Sequence, residues 1–157
     1  MKPFFLNLLF FLFNTFAIQS AFINPTFNPP VKAYSLNQNY STEYFLSIYF
    51  PSLILVNAYI EVEFPFSFQI PSSCALTILN PKGILSQPNC EKIHAQKYLI
   101  PIGKLIPGNY TLIFENIHNP VLSETSNFKI KTFKNRHTPI DSNEALGSVK
   151  LISSPCK

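Results

Sequence analysis

The sequence predicts an all-β domain, a sandwich of about seven to eight short antiparallel strands, and three observations carry that expectation. Apolar residues alternate with polar ones at a period of two in several separate segments. The chain holds 14 Pro against 4 Gly, so few stretches avoid Pro for long enough to build a helix. Aromatic residues make up 15% of the 157 and charged residues 13%, with 16 Phe and no Trp. That supply of large apolar side chains is enough for one core and unlike the composition of a disordered chain.

The clearest strand is 56–64 (VNAYIEVEF), where Val56, Ala58, Ile60, Val62 and Phe64 alternate with Asn57, Tyr59, Glu61 and Glu63. A period of two with glutamates on one side marks a strand buried on one face only. Segment 42–50 sets Tyr44, Leu46, Ile48 and Phe50 against Glu43, Phe45, Ser47 and Tyr49, and 128–133 sets Phe128 and Ile130 against Lys129 and Lys131. Weaker runs at 31–36, 74–79, 98–102, 110–116 and 147–153 complete the set. Turn chemistry separates them: Phe64-Pro65, Ile70-Pro71, Pro107-Gly108 and Asn119-Pro120 each interrupt a ladder, because Pro cannot donate to one. Segment 21–30 (AFINPTFNPP) reads as an extended lead-in, and a turn or two of helix is expected only near 138–146.

The first twenty residues have the order of an export signal. Lys2 gives a positive charge, 4–13 (FFLNLLFFLF) is apolar apart from Asn7, and 14–20 (NTFAIQS) turns polar and small. Cleavage after Ser20 or after Ala17 fits. The domain expectation is a signal segment, helical while it lasts, over 1–20 and one extracellular domain over 21–157. Left uncleaved, the same segment would tether the domain to a membrane; Asn7, Asn14, Thr15 and Gln19 interrupt the apolar length that a spanning helix needs.

An oxidising compartment gives the cysteines a meaning. Cys74 and Cys90 are the natural pair, since the Asn80-Pro81-Lys82-Gly83 turn between them lets the segment fold back on itself. Cys156 is left over, which points to an intermolecular bridge and a disulfide-linked dimer, a free thiol, or a longer chain; the alternative pairs Cys156 with Cys74 or Cys90 and leaves the other one over. Export also gives meaning to two N-glycosylation triplets, Asn39-Tyr40-Ser41 and Asn109-Tyr110-Thr111.

Segment 104–114 (KLIPGNYTLIF) is similar to the corner of immunoglobulin-like domains, where a glycine turn leads to a Tyr two residues before a buried strand position. The resemblance implies an Ig-like sandwich in which the Tyr110 hydroxyl bonds back to the turn and Leu112 stands where antibody domains carry Cys. No Trp and no Cys at Leu112 set the chain apart from an antibody core. Over 56–153, the order of an acidic strand ending in Phe64-Pro65, a Cys pair, Pro107-Gly108-Asn109-Tyr110, Ile117-His118-Asn119-Pro120 and 125–133 (TSNFKIKTF) resembles the β-sandwich repeats of large ciliate surface proteins. That resemblance implies a unit of an extracellular chain without chemistry of its own.

No motif for catalysis, cofactor or metal stands out. Ser72-Ser73, Asp141 and the three His (His94, His118, His137) supply triad residue types without a nucleophile elbow. The His lie far apart and at no ligand spacing from a Cys. Glu61 and Glu63 have the spacing of a glycosidase pair, but two glutamates on the wet side of a strand need no such role. A net charge of +4, one less once Lys2 leaves, is too mild to point to nucleic acid. Two surfaces merit attention. Phe45, Tyr49 and Tyr59 fall opposite the apolar sets of their strands and form an aromatic contact patch if they are exposed together. Lys129, Lys131, Lys134, Arg136 and His137 form a basic stripe that suits sulfated glycan or anionic membrane lipid, with a plain solvated strand face as the alternative. The expected function is a secreted or surface-associated, non-catalytic binding or structural module that meets a protein or glycan at the cell surface. The second reading is a small secreted carrier holding a lipid or other apolar ligand between its sheets; a hydrolase comes third.

Overall fold

The computed structural model describes residues 21–25 and 30–153; the expectations for the 1–20 signal segment and for Cys156 lie outside the described residues. Twelve strands follow one another: β1 (Ala21–Phe22), β2 (Asn24–Pro25), β3 (Val31–Ala33), β4 (Ser41–Phe50), β5 (Ile54–Glu63), β6 (Leu76–Leu79), β7 (Leu85–Ser86), β8 (Glu91–His94), β9 (Lys97–Leu105), β10 (Gly108–His118), β11 (Phe128–Lys134) and β12 (Thr138–Gly147). They form two sheets with no helix among the described residues. Sheet I runs β1-β12-β11-β5-β9-β8 and sheet II runs β2-β4-β10-β6-β7, with β3 also paired to β4. All pairings are antiparallel except β1 with β12.

The order β3-β4-β10-β6 in one sheet and β5-β11-β12 in the other is the ABED and CFG arrangement of immunoglobulin-like sandwiches. The β8–β9 hairpin extends the second set on the free side of β5. It departs from the variable-type order, because it enters the sequence after the D position instead of before it.

Alternation built these sheets. Tyr44, Leu46, Ile48 and Phe50 of β4, Ala58, Ile60 and Val62 of β5, Tyr110, Leu112 and Phe114 of β10, and Phe128 and Ile130 of β11 all point inward and are buried. Between the sheets lies an aromatic cluster centred on Phe64, whose ring meets those of Tyr44, Phe68, Tyr98, Phe114 and Phe128 at centroid distances of 5.2–6.5 Å, all steeply inclined. Edge-to-face contacts of this kind add to the burial of the rings themselves. Burial raises the phenol pKa of Tyr44 and pushes that of Tyr98 up to about 12. The Tyr98 hydroxyl donates to the Pro71 carbonyl at 2.6 Å.

Cys74 and Cys90 form a disulfide with Cα atoms 5.6 Å apart. Cys74 stands just before β6 in sheet II and Cys90 just before β8 in sheet I, so the bridge ties the edges of both sheets together. In the chain-entropy model, a loop of this size is stabilised by about 3 kcal/mol. The turn inside it is held by Asn80, whose side-chain oxygen accepts from the Lys82 and Ile84 amides at 2.9 and 3.0 Å. Its tip rests on the β9–β10 turn, where Pro81 leaves room only for glycine: a Cβ at Gly108 would come within 2.5 Å of the proline ring.

Three expectations need correction. The segment 138–146, expected to hold a helical turn, is strand β12. Its inward positions include Asp141 and Asn143, so polar residues hide the period of two. The strand expected at 147–153 is not one. After Gly147 the chain runs extended, burying Val149 and Leu151, but its neighbours are loops and it makes only isolated bridges, Glu124 with Lys150 and Asn37 with Ile152. Tyr110 does form the bond of a tyrosine corner, donating to the Ile106 carbonyl at 3.2 Å. It does so on β10, the E position, where Leu112 pairs with Leu46 in the same sheet instead of facing it across the core.

Candidate contact faces of the sandwich

The two outer faces are chemically unlike. On sheet I the outward side chains form a compensated ladder of charge. Lys97 of β9 pairs with Glu61 and Glu63 of β5 at 3.4 and 2.9 Å, Lys129 of β11 pairs with Glu63 at 3.0 Å, and Lys131 pairs with Glu144 of β12 at 2.8 Å. The register explains this, since Lys129 stands opposite Glu63 and Glu63 opposite Lys97. Glu61 and Glu63 are therefore ladder members held by lysines. Most of the basic stripe is spoken for: Lys129 and Lys131 sit in the ladder and Arg136 pairs with Glu91, leaving Lys134 and His137 at the β11–β12 turn.

Partial burial disfavours the Glu63 carboxylate, yet the hydrogen bonds and charges of Lys97 and Lys129 outweigh it and hold the group below its ordinary pKa. Lys97 is raised, first by its hydrogen bond to Glu63 and against the opposing effect of burial. A depressed carboxyl stabilises the fold above its unfolded pKa of about 4.3, and that contribution is lost as pH falls through the lower folded value. The partners are partly wet, so the expected size is under about 1 kcal/mol. Denaturant midpoints compared between about pH 6 and about pH 3 should fall further for the native chain than for Glu63→Gln; equal falls would remove the ladder from the account.

Sheet II turns a different surface outward. Phe45 stands opposite Ile113, which stands opposite Thr77; Ser47 opposite Thr111, which stands opposite Leu79; Leu79 opposite Leu85. Tyr49 lies opposite Asn109. Phe45 and Ile113 are half-buried, while Tyr49 is 38% and Leu85 64% exposed. Between Phe45 and Tyr49 on β4, and between Asn109 and Ile113 on β10, no charged residue faces outward, while on the neighbouring β3 the exposed Lys32 stands opposite Phe45. It is bounded by Glu43 and Glu115 at one end and by the Asn109 triplet at the other.

The aromatic patch expected from the sequence is thus only partly assembled. Phe45 and Tyr49 share the outer face of sheet II, whereas Tyr59 belongs to the outer face of sheet I, on the far side of the molecule. Alternation places each residue correctly in or out but does not say to which sheet its strand belongs. Tyr59 is also covered, with the Arg136 guanidinium 5.7 Å from its ring centroid. Leu79, Leu85 and Ile113 complete the face and were not singled out from the sequence. The period-two pattern of 110–116 was enough to find Ile113.

The remaining residues fall apart from one another. Asn39, at φ 59°, lies in an exposed turn before β4, and Asn109 is exposed at the start of β10. The Ser41 hydroxyl and His118 Nδ1 are 3.4 Å apart on paired strands, and no carboxylate pairs with that imidazole among the described residues. Ser72 and Ser73 are exposed and make no contact with Asp141, which instead accepts from Ser52 and Thr132. No group of His, Cys, Asp and Glu among the described residues has the arrangement of a metal site. A surface groove of about 550 Å³ lies beside the charge ladder, lined by Glu61, Glu63, Phe66, Ile93, His94 and Lys97. Its carboxylates are those already held by lysines.

No protein-family model matches the chain, and no curated protein matches it. Among solved structures, one described as the crystal structure of BslA, a bacterial hydrophobin, superposes with a TM-score of 0.46 at 12% identity, covering 85% of this chain and 97% of that one. A likeness of that degree carries nothing about activity or partners.

Proposed function

We propose that the chain is an exported, non-catalytic contact module that docks through the outer face of sheet II on a protein partner at the cell surface. The observation behind this reading is the contrast between the faces: sheet I sets its charges against one another in a ladder, while sheet II gathers Phe45, Tyr49, Ile113, Leu79 and Leu85, with its charges at the margin, on Lys32, Glu43 and Glu115. Contact surfaces are enriched in aromatic residues and depleted of charge at their centres. Export follows from the 1–20 signal segment and agrees with the Cys74–Cys90 disulfide. The likeness to ciliate surface repeats belongs to the same proposal, as a unit that positions this face on a larger assembly. A glycan on Asn109 would border the face at Tyr49 and leave Phe45 and Ile113, about 13 Å farther along the strand, uncovered.

The carrier reading draws no support from the interior. The space between the sheets is filled by Tyr44, Phe50, Phe64, Phe68, Phe114 and Phe128.

Retention of the secreted protein on the cells that make it tests the proposal. Phe45→Ser combined with Tyr49→Ser should lower retention by about 30-fold or more, the effect of truncating a contact centre. Tyr59→Ser on the opposite face should leave it unchanged. Equal retention of all three proteins, with thermal unfolding showing each one folded, would sink the assignment of the face.

A further inference from the structure

Asp141 is the one carboxylate enclosed by the described sandwich, 1% exposed and facing inward from β12. Its Oδ1 accepts from the Ser52 hydroxyl at 2.8 Å and its Oδ2 from the Thr132 hydroxyl at 3.3 Å. The six ion pairs among the described residues involve other carboxylates. A buried carboxylate with two neutral donors and no cation is an expensive arrangement, and folded proteins normally supply a counter-ion.

The strand beside it shows where one would come from. β1 runs parallel to β12, with Ala21 opposite Asp141 and Phe22 opposite Ser142. That register is fixed on both sides of the next residue: the Ile23 amide donates to Ser142 O at 3.3 Å, and Asn143 Nδ2 donates to Ile23 O at 2.7 Å. Ile23 itself is fully buried. Paired strands lie about 4.8 Å apart, so the backbone of Ala21 runs directly beside that of Asp141.

We propose that processing after Ser20 creates the missing cation, the new α-ammonium of Ala21, as the counter-ion of Asp141. The inference rests on the export reading given above and selects between its two cleavage sites. Hydrolysis of the Ser20–Ala21 amide consumes one water, leaves a carboxylate on Ser20 of the released leader and frees an amine on Ala21, which takes up a proton at neutral pH. Cleavage after Ala17 would instead carry the charge three residues upstream, about 10 Å away along an extended chain. In the precursor the same nitrogen is a neutral amide, so the sandwich acquires this ion pair only when the leader is gone.

Chains spanning 21–157, released from a fusion so that Ala21 is the first residue, are compared with the same chain preceded by Gly-Ser, each with and without Asp141→Asn. The extension should lower the melting temperature by on the order of 5 °C in the native background and leave it unchanged in D141N. An equal loss in both backgrounds, or none in either, overturns the pair. A pH series stands in if D141N fails to fold. The groups facing Asp141 from β11 and from the β4–β5 connection are the Thr132 and Ser52 hydroxyls, which do not titrate, so the amine governs the response. Its reference pKa is about 8 and a partner raises it, so the stabilisation is full below about pH 8 and disappears as pH rises through the raised folded value. The gap between the two N-termini should therefore close from about pH 6 to about pH 10; a gap that ignores pH contradicts the proposal. The intact mass of protein secreted from the full-length chain separates the two readings. A start at Ala21 supports the pair, a start at Ile18 overturns it while export stands, and an uncleaved chain ends the export reading as well.

Discussion

Phe64→Ala should lower the stability of the fold by about 4–5 kcal/mol, the largest loss expected from any single truncation in this core. The ring is 1% exposed and meets five other rings, drawn from β4, β9, β10, β11 and the 64–70 corner, so its removal leaves a cavity bordered by both sheets. Neighbouring groups cannot collapse into that space without breaking the ring contacts they make with one another. Phe66, two residues on, is almost fully exposed, and Phe66→Ala should change stability by no more than about 0.5 kcal/mol. Chemical denaturation of the two variants decides the matter. A loss below about 2 kcal/mol for Phe64→Ala would mean that the cluster is not what joins the sheets.

Asn119→Ala should cost about 3 kcal/mol through a different mechanism. Asn119 is fully buried at the end of β10, where its side-chain oxygen accepts from the Tyr44 hydroxyl at 2.5 Å. Its side-chain nitrogen donates to Ser35 O at 3.0 Å and to Asn37 O at 2.7 Å. One side chain thus pins the 35–40 loop to the core, and truncation strands a buried hydroxyl and two carbonyls. Tyr44→Phe removes only one of those bonds and should cost about 1–2 kcal/mol. If the two changes cost the same, the loop carbonyls are satisfied by solvent and the side chain does not anchor the loop.

The sequence spoke clearly wherever burial alternates with polarity. Strands β4, β5 and β11 lie close to where their periodicity puts them, because each has one wet face and one dry one; the exception is Val56, expected inward and 60% exposed, where the β5–β9 register shifts ahead of Ala58. β12 was hidden by Asp141 and Asn143, polar residues facing inward, and those same residues mark where β1 docks. The short pairs β1, β2, β7 and β8 have too few residues to show a period. The Cys74–Cys90 bridge was legible because a turn signal lies between the two cysteines.

The contact face was half legible. Phe45 and Tyr49 could be named from one strand, and Ile113 from the alternation of another. That they meet, and that Tyr59 does not join them, depends on β4 and β5 entering different sheets after a sharp corner. No local pattern encodes that choice. In the same way, Lys129 and Lys131 looked like a free basic stripe until strand pairing set Glu63 and Glu144 beside them.

Selective modification of tyrosine tests the central claim most directly, because the molecule carries its own reporters. Tyr59 is half-buried on the outer face of sheet I, while Tyr49, 38% exposed, lies on that of sheet II. Labelling of both by a tyrosine-specific reagent, compared by peptide mass between free secreted protein and protein held at the cell surface, should show Tyr49 protected and Tyr59 unchanged. Equal labelling of Tyr49 in the two states would contradict docking through sheet II.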